Sequence, residues 1–471
     1  MLFNSSNFLY FSISFFSIYY LLPKRYQNIF LLLSSYFFYA SWDYRFLSLL
    51  LISTVVDYCC GIWIEKRPDR KKIFLYTSLA ANLGILGLFK YFDFFIENLN
   101  SVLIYFGFSS SIKTLELIVP IGLSYYTFQT LSYTIDVYRG RMKPTRSILN
   151  FALFVAFFPQ LVIGPIERAR NLLPQIERPR VISPQMIRQG LWLILFGFFK
   201  KSFISDNCGL ITDALIDPDT SFDGGMVLTA SITFLFEAYG DFSGYTDIAR
   251  GLAMLMGIKL IDNFRWPYFA KNPAELWQHW HMSLTSWVRD YLFSWLKKNV
   301  VMKDGVKTKF RIAILNLISM IVIGFWHGAS WKFLIWGLYF GGLLVVHSNL
   351  AHYLPKSESK TWFVTRVFFT LVSTSIGWMI FRAESISHLI DLGRALIFDF
   401  NWTPHYSQIL IKMVYYNLVL YTLLVFQFRK NTFFVHFNWH WSIRYSLYAY
   451  LLVCILLLGQ FREREFWYYQ F

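Results

Sequence analysis

One histidine, His327, stands in the apolar and aromatic stretch IVIGFWHGASWKFLIWG (Ile321 to Gly337), with Gly324 and Gly328 close on either side. A neutral imidazole, whose ordinary pKa is ~6.5, can take a proton from a hydroxyl and later return it, which is general base and then general acid chemistry. A polar residue is expensive inside a membrane, so one retained there is a candidate for function. The alternatives are a histidine at the outer interface, or one bonded to a backbone carbonyl between helices. A second titratable group, Glu275, His279 and His281, lies in AELWQHWHMSL. Glu275 and His279 are four apart and meet on a helix, whereas His279 and His281 are two apart and point to different faces. A metal held by Glu275, His279, His281 and His327 would follow no standard ligand spacing, so no metal is expected. A third stretch, EAYGDFSGYTDIARG, brings Asp241, Ser243, Tyr245 and Asp247 directly after an apolar span. It lacks a partnered nucleophile, and hydrogen bonding and helix capping are the roles expected of it. The G-x-S-x-G elbow of serine hydrolases is absent.

The elements that must position these residues are membrane helices. Of 471 residues, 56% are hydrophobic and 21% aromatic, while 15% are charged, against roughly 25% in soluble domains. Apolar blocks recur along nearly the whole chain. The expected fold is an all-α, polytopic integral membrane bundle with about 10 to 13 transmembrane or re-entrant helices. Without linkers or repeats, residues 1–471 form one membrane domain. The first block, FLYFSISFFSIYYLLP, has no basic residue before it and no small-residue cleavage site after it, so it reads as a retained helix. Net charge is +16, but the basic residues gather in alternate short loops: Lys24 and Arg25, then Lys66 to Lys72, then Arg139 to Arg146. That pattern fits the positive-inside rule and no nucleic-acid partner; it puts those loops in the cytoplasm and the N-terminus outside. Cys59, Cys60, Cys208 and Cys454 show no metal spacing.

Two irregular stretches mark the interior. FFPQLVIGPIERARNLLPQIERPRV is broken by Pro159, Gly164 and Pro165, and reads either as a re-entrant segment lining a pocket or as a short span ending at a proline. The run from Asn263 to Leu296 is too charged to span lipid and too aromatic for a solvated loop, so one or two amphipathic helices in the interface or dipping into the protein are expected. The basic KKNVVMKDGVKTKFR after it is cytoplasmic, so the next helix starts near Arg311 and runs outward. Arg311 to Trp326 covers about 24 Å at ~1.5 Å per residue, less than the ~30 Å hydrocarbon core. His327 therefore stays inside the membrane.

ELWQHWHMSLTSWVRDYL, a basic stretch, and then GFWHGASWKFLIWG together resemble the membrane-bound O-acyltransferase (MBOAT) family. VPIGLSYYTFQTLSYTIDVYRG, FFPQLVIGPIERA and YGDFSGYTDIARGLAMLMGIKL match as well. With MLFNSSNFLYF and LLLSSYFFYASWDYRFLSLLLISTVVDY, the chain as far as about Gly342 is similar to the bacterial alginate O-acetyltransferase branch. The resemblance implies that His327, in the W-H-G motif, is the catalytic residue and that His281, in the W-H-x-S-L motif, is the second polar residue of the site. Gln278 stands where arginine is common before the W-H pair, with His279 in the next position. Trp326, Trp280, Ser283, Asp241, Ser243, Arg289 and Asp290 are the candidate substrate contacts.

The implied reaction moves an acyl group, expected to be acetyl, to a hydroxyl of an extracytoplasmic polysaccharide, directly or through a periplasmic acetyltransferase partner. The donor is a cytoplasmic thioester, acetyl-CoA or an acyl-carrier thioester; no tightly bound cofactor is implied, and the location is the bacterial inner membrane. His281 would then bond the thioester carbonyl oxygen or orient the donor. Lys297 to Arg311 would attract the anionic donor, and Gly337 and Gly341 would lie along the acceptor's route. The competing readings are D-alanyl transfer to teichoic acid, a transporter of polysaccharide or acyl intermediates, and a noncatalytic scaffold.

Overall fold

The computed structural model describes residues 1–109, 111–301, 308–355, 357 and 359–461. Among them all regular structure is helical, as the apolar blocks require. α1 (Ser6–Leu21) starts where the Ser5 hydroxyl accepts the Phe8 N–H, and α2 (Lys24–Ala40) follows the turn at Pro23. α3 (Leu47–Lys66) and α4 (Lys71–Leu86) pair across the basic turn, and α4 continues through a π-helical turn, Gly87–Tyr91, into α5 (Phe92–Tyr105). α6 (Leu123–Tyr138) packs on both α3 and α4. These three helices share a buried polar network, because a carboxylate inside a bundle must have its partners inside too. Asp57 accepts from Ser78, from Asn82 at 2.6 Å and from Thr134 at 2.6 Å.

α7 (Ile148–Ala156), α8 (Phe158–Leu161) and α9 (Ala169–Glu177) are the pieces of the broken segment, and residues 163–169 between them are buried. The unwound backbone between α8 and α9 is thus surrounded by protein. α10 (Pro184–Phe198) passes through a π-helical stretch, Phe199–Ser205, into α11 (Asp206–Leu215). α12 (Gly224–Leu255), 32 residues and so ~48 Å long, packs along α10, α11 and the π-helical stretch. It runs unbroken through Asp241, Ser243, Tyr245 and Asp247. Those residues therefore cap nothing, which corrects the expectation of helix capping.

α13 (Pro273–His279), α14 (Met282–Trp287) and α15 (Ser294–Leu296) occupy the charged aromatic run. Trp277, Trp280, Leu284 and Trp287 are buried, so this run dips into the protein. It is more broken than expected, because Trp280 is extended and His281 is left-handed. α16 (Thr308–His327) and α17 (Trp331–Leu350) form a hairpin, followed by α18 (Lys360–Arg382), α19 (Ile386–Phe398), α20 (Pro404–Lys430) and α21 (Trp441–Val453). Lys303, in the middle of the basic stretch, lies outside the described residues.

By length and apolar composition, six helical stretches can cross a membrane among the described residues: Tyr44–Lys66, Pro68–Tyr105, Trp331–Leu350, Lys360–Arg382, Pro404–Lys430 and Trp441–Leu458. Their exposed faces carry large apolar side chains such as Leu51, Val55, Val364, Phe368 and Val414, which suits contact with lipid rather than water. Two of the basic segments and the end of the charged aromatic run meet at one end of the molecule. Arg146 pairs with Glu65, Lys71 lies over the Tyr138 ring, and Arg139 donates to Asp290 O at 2.9 Å.

Asp69 and Ser109 flank the stretch Pro68–Tyr105. After replacement of the four native cysteines, single cysteines at these two positions should respond oppositely to an impermeant thiol reagent in intact cells. Labelling of both, or of neither, would mean that this helix does not cross.

Candidate active site

His327 is the last residue of α16 and is buried, 6% exposed. A helix that ends among apolar groups leaves its last carbonyls without intrahelical partners. Here they are met from a distant part of the chain. Lys90 Nζ donates to Trp326 O at 2.8 Å and to His327 O at 2.9 Å, and Tyr91 OH donates to Phe325 O at 3.0 Å. Both donors sit in the π-helical turn Gly87–Tyr91. A cation at a helix C-terminus also suits the helix dipole. The imidazole itself packs edge-on against Trp326, Trp336 and Phe381, with centroids 5.0, 5.4 and 5.1 Å away.

α17 approaches α16 closely because both carry glycine at the crossing. A Cβ on Gly324 would lie 2.1 Å from Phe333 O, and one on Gly337 would lie 2.5 Å from Met320 O. Small residues let membrane helices pack backbone to backbone. Gly337 and Gly341 thus face α16, not a substrate route, which corrects the expectation placed on them.

His281 enters from another direction. It has φ +42°, a left-handed conformation uncommon for a side chain with a Cβ. The turn is held by Asn263: Met282 N–H donates to its backbone carbonyl at 2.9 Å, and Ser283 N–H and Oγ–H donate to its Oδ1 at 3.2 and 2.8 Å. His281 Nδ1 is 3.0 Å from the same oxygen. Two charged residues of the broken segment brace this arrangement. Glu167 Oε1 accepts Ile261 N–H at 2.6 Å, and Arg168 donates to Ser283 O at 3.3 Å and Ser286 Oγ at 3.1 Å. The buried His281 ring lies 4.6 Å from Phe242 and 6.1 Å from Trp326. Trp326 therefore touches both imidazoles, and the two are close enough to interact electrostatically.

Of the other candidates, Ser283 joins this cluster through Asn263. Trp280 is a packing residue, set against Trp378 at 4.6 Å and Phe264 at 5.0 Å. Asp241 turns to Lys201 at 2.7 Å, and Ser243 is buried in the same stretch of α12. Arg289 is exposed and Asp290 pairs with Arg170 at 3.6 Å, both at the end that carries the basic loops. Glu275 starts α13: Asn272 Oδ1 accepts its N–H at 2.8 Å, and its carboxylate accepts Lys271 N–H at 3.0 Å. His279 is half-buried while His281 is fully buried, so the two diverge as expected.

Two cavities lie near the ends of this arrangement. One, about 470 Å³, is lined by Lys90, Gly328, Ser330, Lys332, Arg382 and Glu384, just beyond His327. The other, about 290 Å³, is lined by Trp277, Thr285, Arg289, Met320, Ile323 and Leu344, one turn and more before it. Neither imidazole lines either cavity.

The model of the membrane-bound O-acyltransferase family matches residues 37–386, well over half of the chain. The chain belongs to this family. It is 36% identical to "Probable alginate O-acetylase AlgI" of Azotobacter vinelandii over 86% of this chain and 79% of that protein. It is 33% identical to "Peptidoglycan O-acetyltransferase" of Helicobacter pylori over 79% and 74% of the two chains. Similarity to "Teichoic acid D-alanyltransferase" of Bacillus subtilis is lower, 27% over 58% of this chain and 71% of that one. The protein is a multi-pass membrane O-acyltransferase, as the W-H-G and W-H-x-S-L stretches imply.

Sequence reasoning passed over Lys90, Tyr91, Glu167, Arg168 and Asn263. For Lys90 a signal existed: it is a lysine within the long apolar helix Pro68–Tyr105. The family's O-acyltransfer should fall about a hundredfold in Lys90→Met, because a misplaced catalytic group costs roughly that much. Lys90→Arg should recover part of it, and equal activity in all three proteins would remove the cap from the site. Gly337→Leu should destabilise the purified protein by on the order of 3 kcal/mol. Gly342→Leu should leave the melting temperature nearly unchanged, since nothing lies within 4 Å of a Cβ there.

Proposed function

We propose that this O-acyltransferase moves an acetyl group from a cytoplasmic thioester, acetyl-CoA or an acyl-carrier thioester, to a hydroxyl of an extracytoplasmic polysaccharide, directly or through a periplasmic acetyltransferase partner. The observation that carries the reading is the pair of buried imidazoles on either side of Trp326, with one cavity just beyond the end of α16 and another beside its middle turns. The similarity to relatives named as O-acetyltransferases, higher and longer than that to the D-alanyltransferases, favours acetyl over D-alanyl transfer.

In this scheme His327 takes the proton of the acceptor hydroxyl as the oxygen attacks the thioester carbonyl. The tetrahedral intermediate then expels the thiolate, and the imidazolium returns the proton to sulfur. The protein lies in the bacterial inner membrane with its N-terminus outside, because the shared end of the basic segments is cytoplasmic. The donor then approaches by the cavity lined by Arg289 and Met320, and the acceptor by the one lined by Lys90 and Arg382. Both imidazoles are buried, so each substrate must displace side chains to reach them. Substrates from two compartments can meet there without opening a continuous path.

Mass spectrometry of cell-surface polysaccharide from strains with and without the gene should find O-acetyl esters only in the former. His327→Ala should abolish ester formation and His281→Ala should reduce it about a hundredfold or more, with normal accumulation in the membrane. His279→Ala should retain most activity, and equal loss from both histidines of the 279–281 pair would assign them to packing. Neutralising Lys297 and Lys298 should raise the apparent KM for donor about two- to fivefold, since exposed charges contribute ~1 kcal/mol or less each. A fall in rate at saturating donor with unchanged KM would put the donor's entrance elsewhere.

A further inference from the structure

The hydrogen-bond geometry around Asn263 decides which nitrogen of His281 carries the proton. Orientation of an asparagine amide and the tautomer of a histidine are read from their partners. The Ser283 backbone N–H can only donate, and it points at the Asn263 atom 3.2 Å away, so that atom is the oxygen. Ser283 Oγ lies 2.8 Å from the same oxygen and donates to it. His281 Nδ1 is 3.0 Å from it as well. An unprotonated Nδ1 would set a lone pair against that carbonyl oxygen, so Nδ1 carries hydrogen and donates. In a neutral ring the other nitrogen, Nε2, then has only a lone pair. Nε2 is buried and has no hydrogen-bond partner among the described residues.

From this geometry we infer that His281 offers Nε2 as a hydrogen-bond acceptor to an O–H or N–H group of a bound substrate, and that Asn263 is the positioning residue that fixes this tautomer. The neutral ring cannot donate to a thioester carbonyl through Nε2, which removes the carbonyl-bonding alternative for it and keeps the donor-orienting one. The two O–H and N–H sources are a second hydroxyl of the acceptor, next to the reacting one whose hydrogen goes to His327, and an amide N–H of the donor's thioester arm. The inference rests on the acetyl-transfer reading for the identity of the substrate, but not for the tautomer. The groups packed on the ring are Asn263, Phe242 of α12 and Trp326 of α16, with Ser283 beside Nδ1. The ring in turn acts electrostatically on His327.

Asn263→Asp keeps an oxygen in place for all three donors but adds a negative charge, which favours the imidazolium. The neutral, accepting form is then available only at higher pH. The acid limb of the activity profile should move up by about one unit or more, with the rate recovering on the alkaline side. Asn263→Leu should lose activity at every pH. An unchanged profile in Asn263→Asp, or substantial activity in Asn263→Leu, would overturn the inference. In Asn263→Asp measured near neutral pH, a raised KM for acceptor identifies the hydroxyl as the group held, and a raised KM for donor identifies the amide.

A measurement independent of activity separates this inference from the reaction itself. In the ¹⁵N spectrum of histidine-labelled protein in bilayers, the His281 signals, assigned by their loss in His281→Gln, should show a protonated Nδ1 and an unprotonated Nε2 at neutral pH. The opposite tautomer, or a doubly protonated ring, sinks the proposal whatever the substrate is. Absence of O-acetyl transfer by the wild type together with the expected tautomer would sink the acetyl reading alone.

Discussion

A helix that stops among buried apolar groups must have its last carbonyls satisfied by protein, because no water is there to do it. α16 meets that constraint with Lys90 and Tyr91, and the position of His327 follows from it. The two donors reach the carbonyls because the helix from Pro68 to Tyr105 widens into a π-helical turn at Gly87–Tyr91. Such turns are uncommon and occur often at functional sites. Here the turn places a lysine and a tyrosine at the depth where α16 ends. The glycine crossing of α16 with α17 then fixes the direction from which the imidazole emerges.

The second imidazole depends on unwound backbone. From Ile258 to Arg265 the chain has no helix, yet half of it is buried, so its polar groups need partners. Glu167 takes the Ile261 N–H and Asn263 takes the Met282 N–H. The same loop is tied to α12 by charge: Lys200 pairs with Asp247 at 2.6 Å, Asp247 with Arg250 at 3.2 Å, and Arg250 with Asp262. Buried ion pairs of this kind add little net stability, since desolvation offsets their attraction, but removal of one member leaves an uncompensated charge. Their value here is geometric. They hold Asn263 where it can grip a left-handed His281.

The sequence made some of this legible and hid the rest for identifiable reasons. That His327 stands at a helix end followed from the glycine-flanked break around it, a local quantity. The divergence of His279 from His281 followed too, although the cause is a left-handed residue and not two faces of one helix. Lys90 caps carbonyls more than two hundred residues away, and no periodicity carries information over that distance. Asp241 and Asp247 read as hydrogen-bonding or capping groups because polar residues directly after an apolar span suit those roles. Their partners Lys201 and Lys200 instead lie on the π-helical stretch beside α12, so burial with a counter-charge replaced solvent. The charged pair Glu167 and Arg168 carried no pattern that singled it out, and what the two bind became visible only when the loop at 261 and the turn at 283 came together.

One contact remains to join the two halves of the site. His327 rides on α16 and His281 precedes α14, and neither helix alone sets the distance between the rings. Trp326 stacks on Phe128 of α6, with centroids 5.6 Å apart and planes at 21°, and Phe128 stacks on Trp287 of α14 at 3.9 Å and 4°. Trp287 Nε1 also donates to Phe128 O at 2.9 Å. Rings packed face to face resist compression, so this three-ring stack sets the spacing between α16 and α14 with α6 as the spacer. The indole that touches both imidazoles is thus the outer ring of the stack. Any movement of α6 that admits a substrate must shift Trp326, and through it the relation of one imidazole to the other.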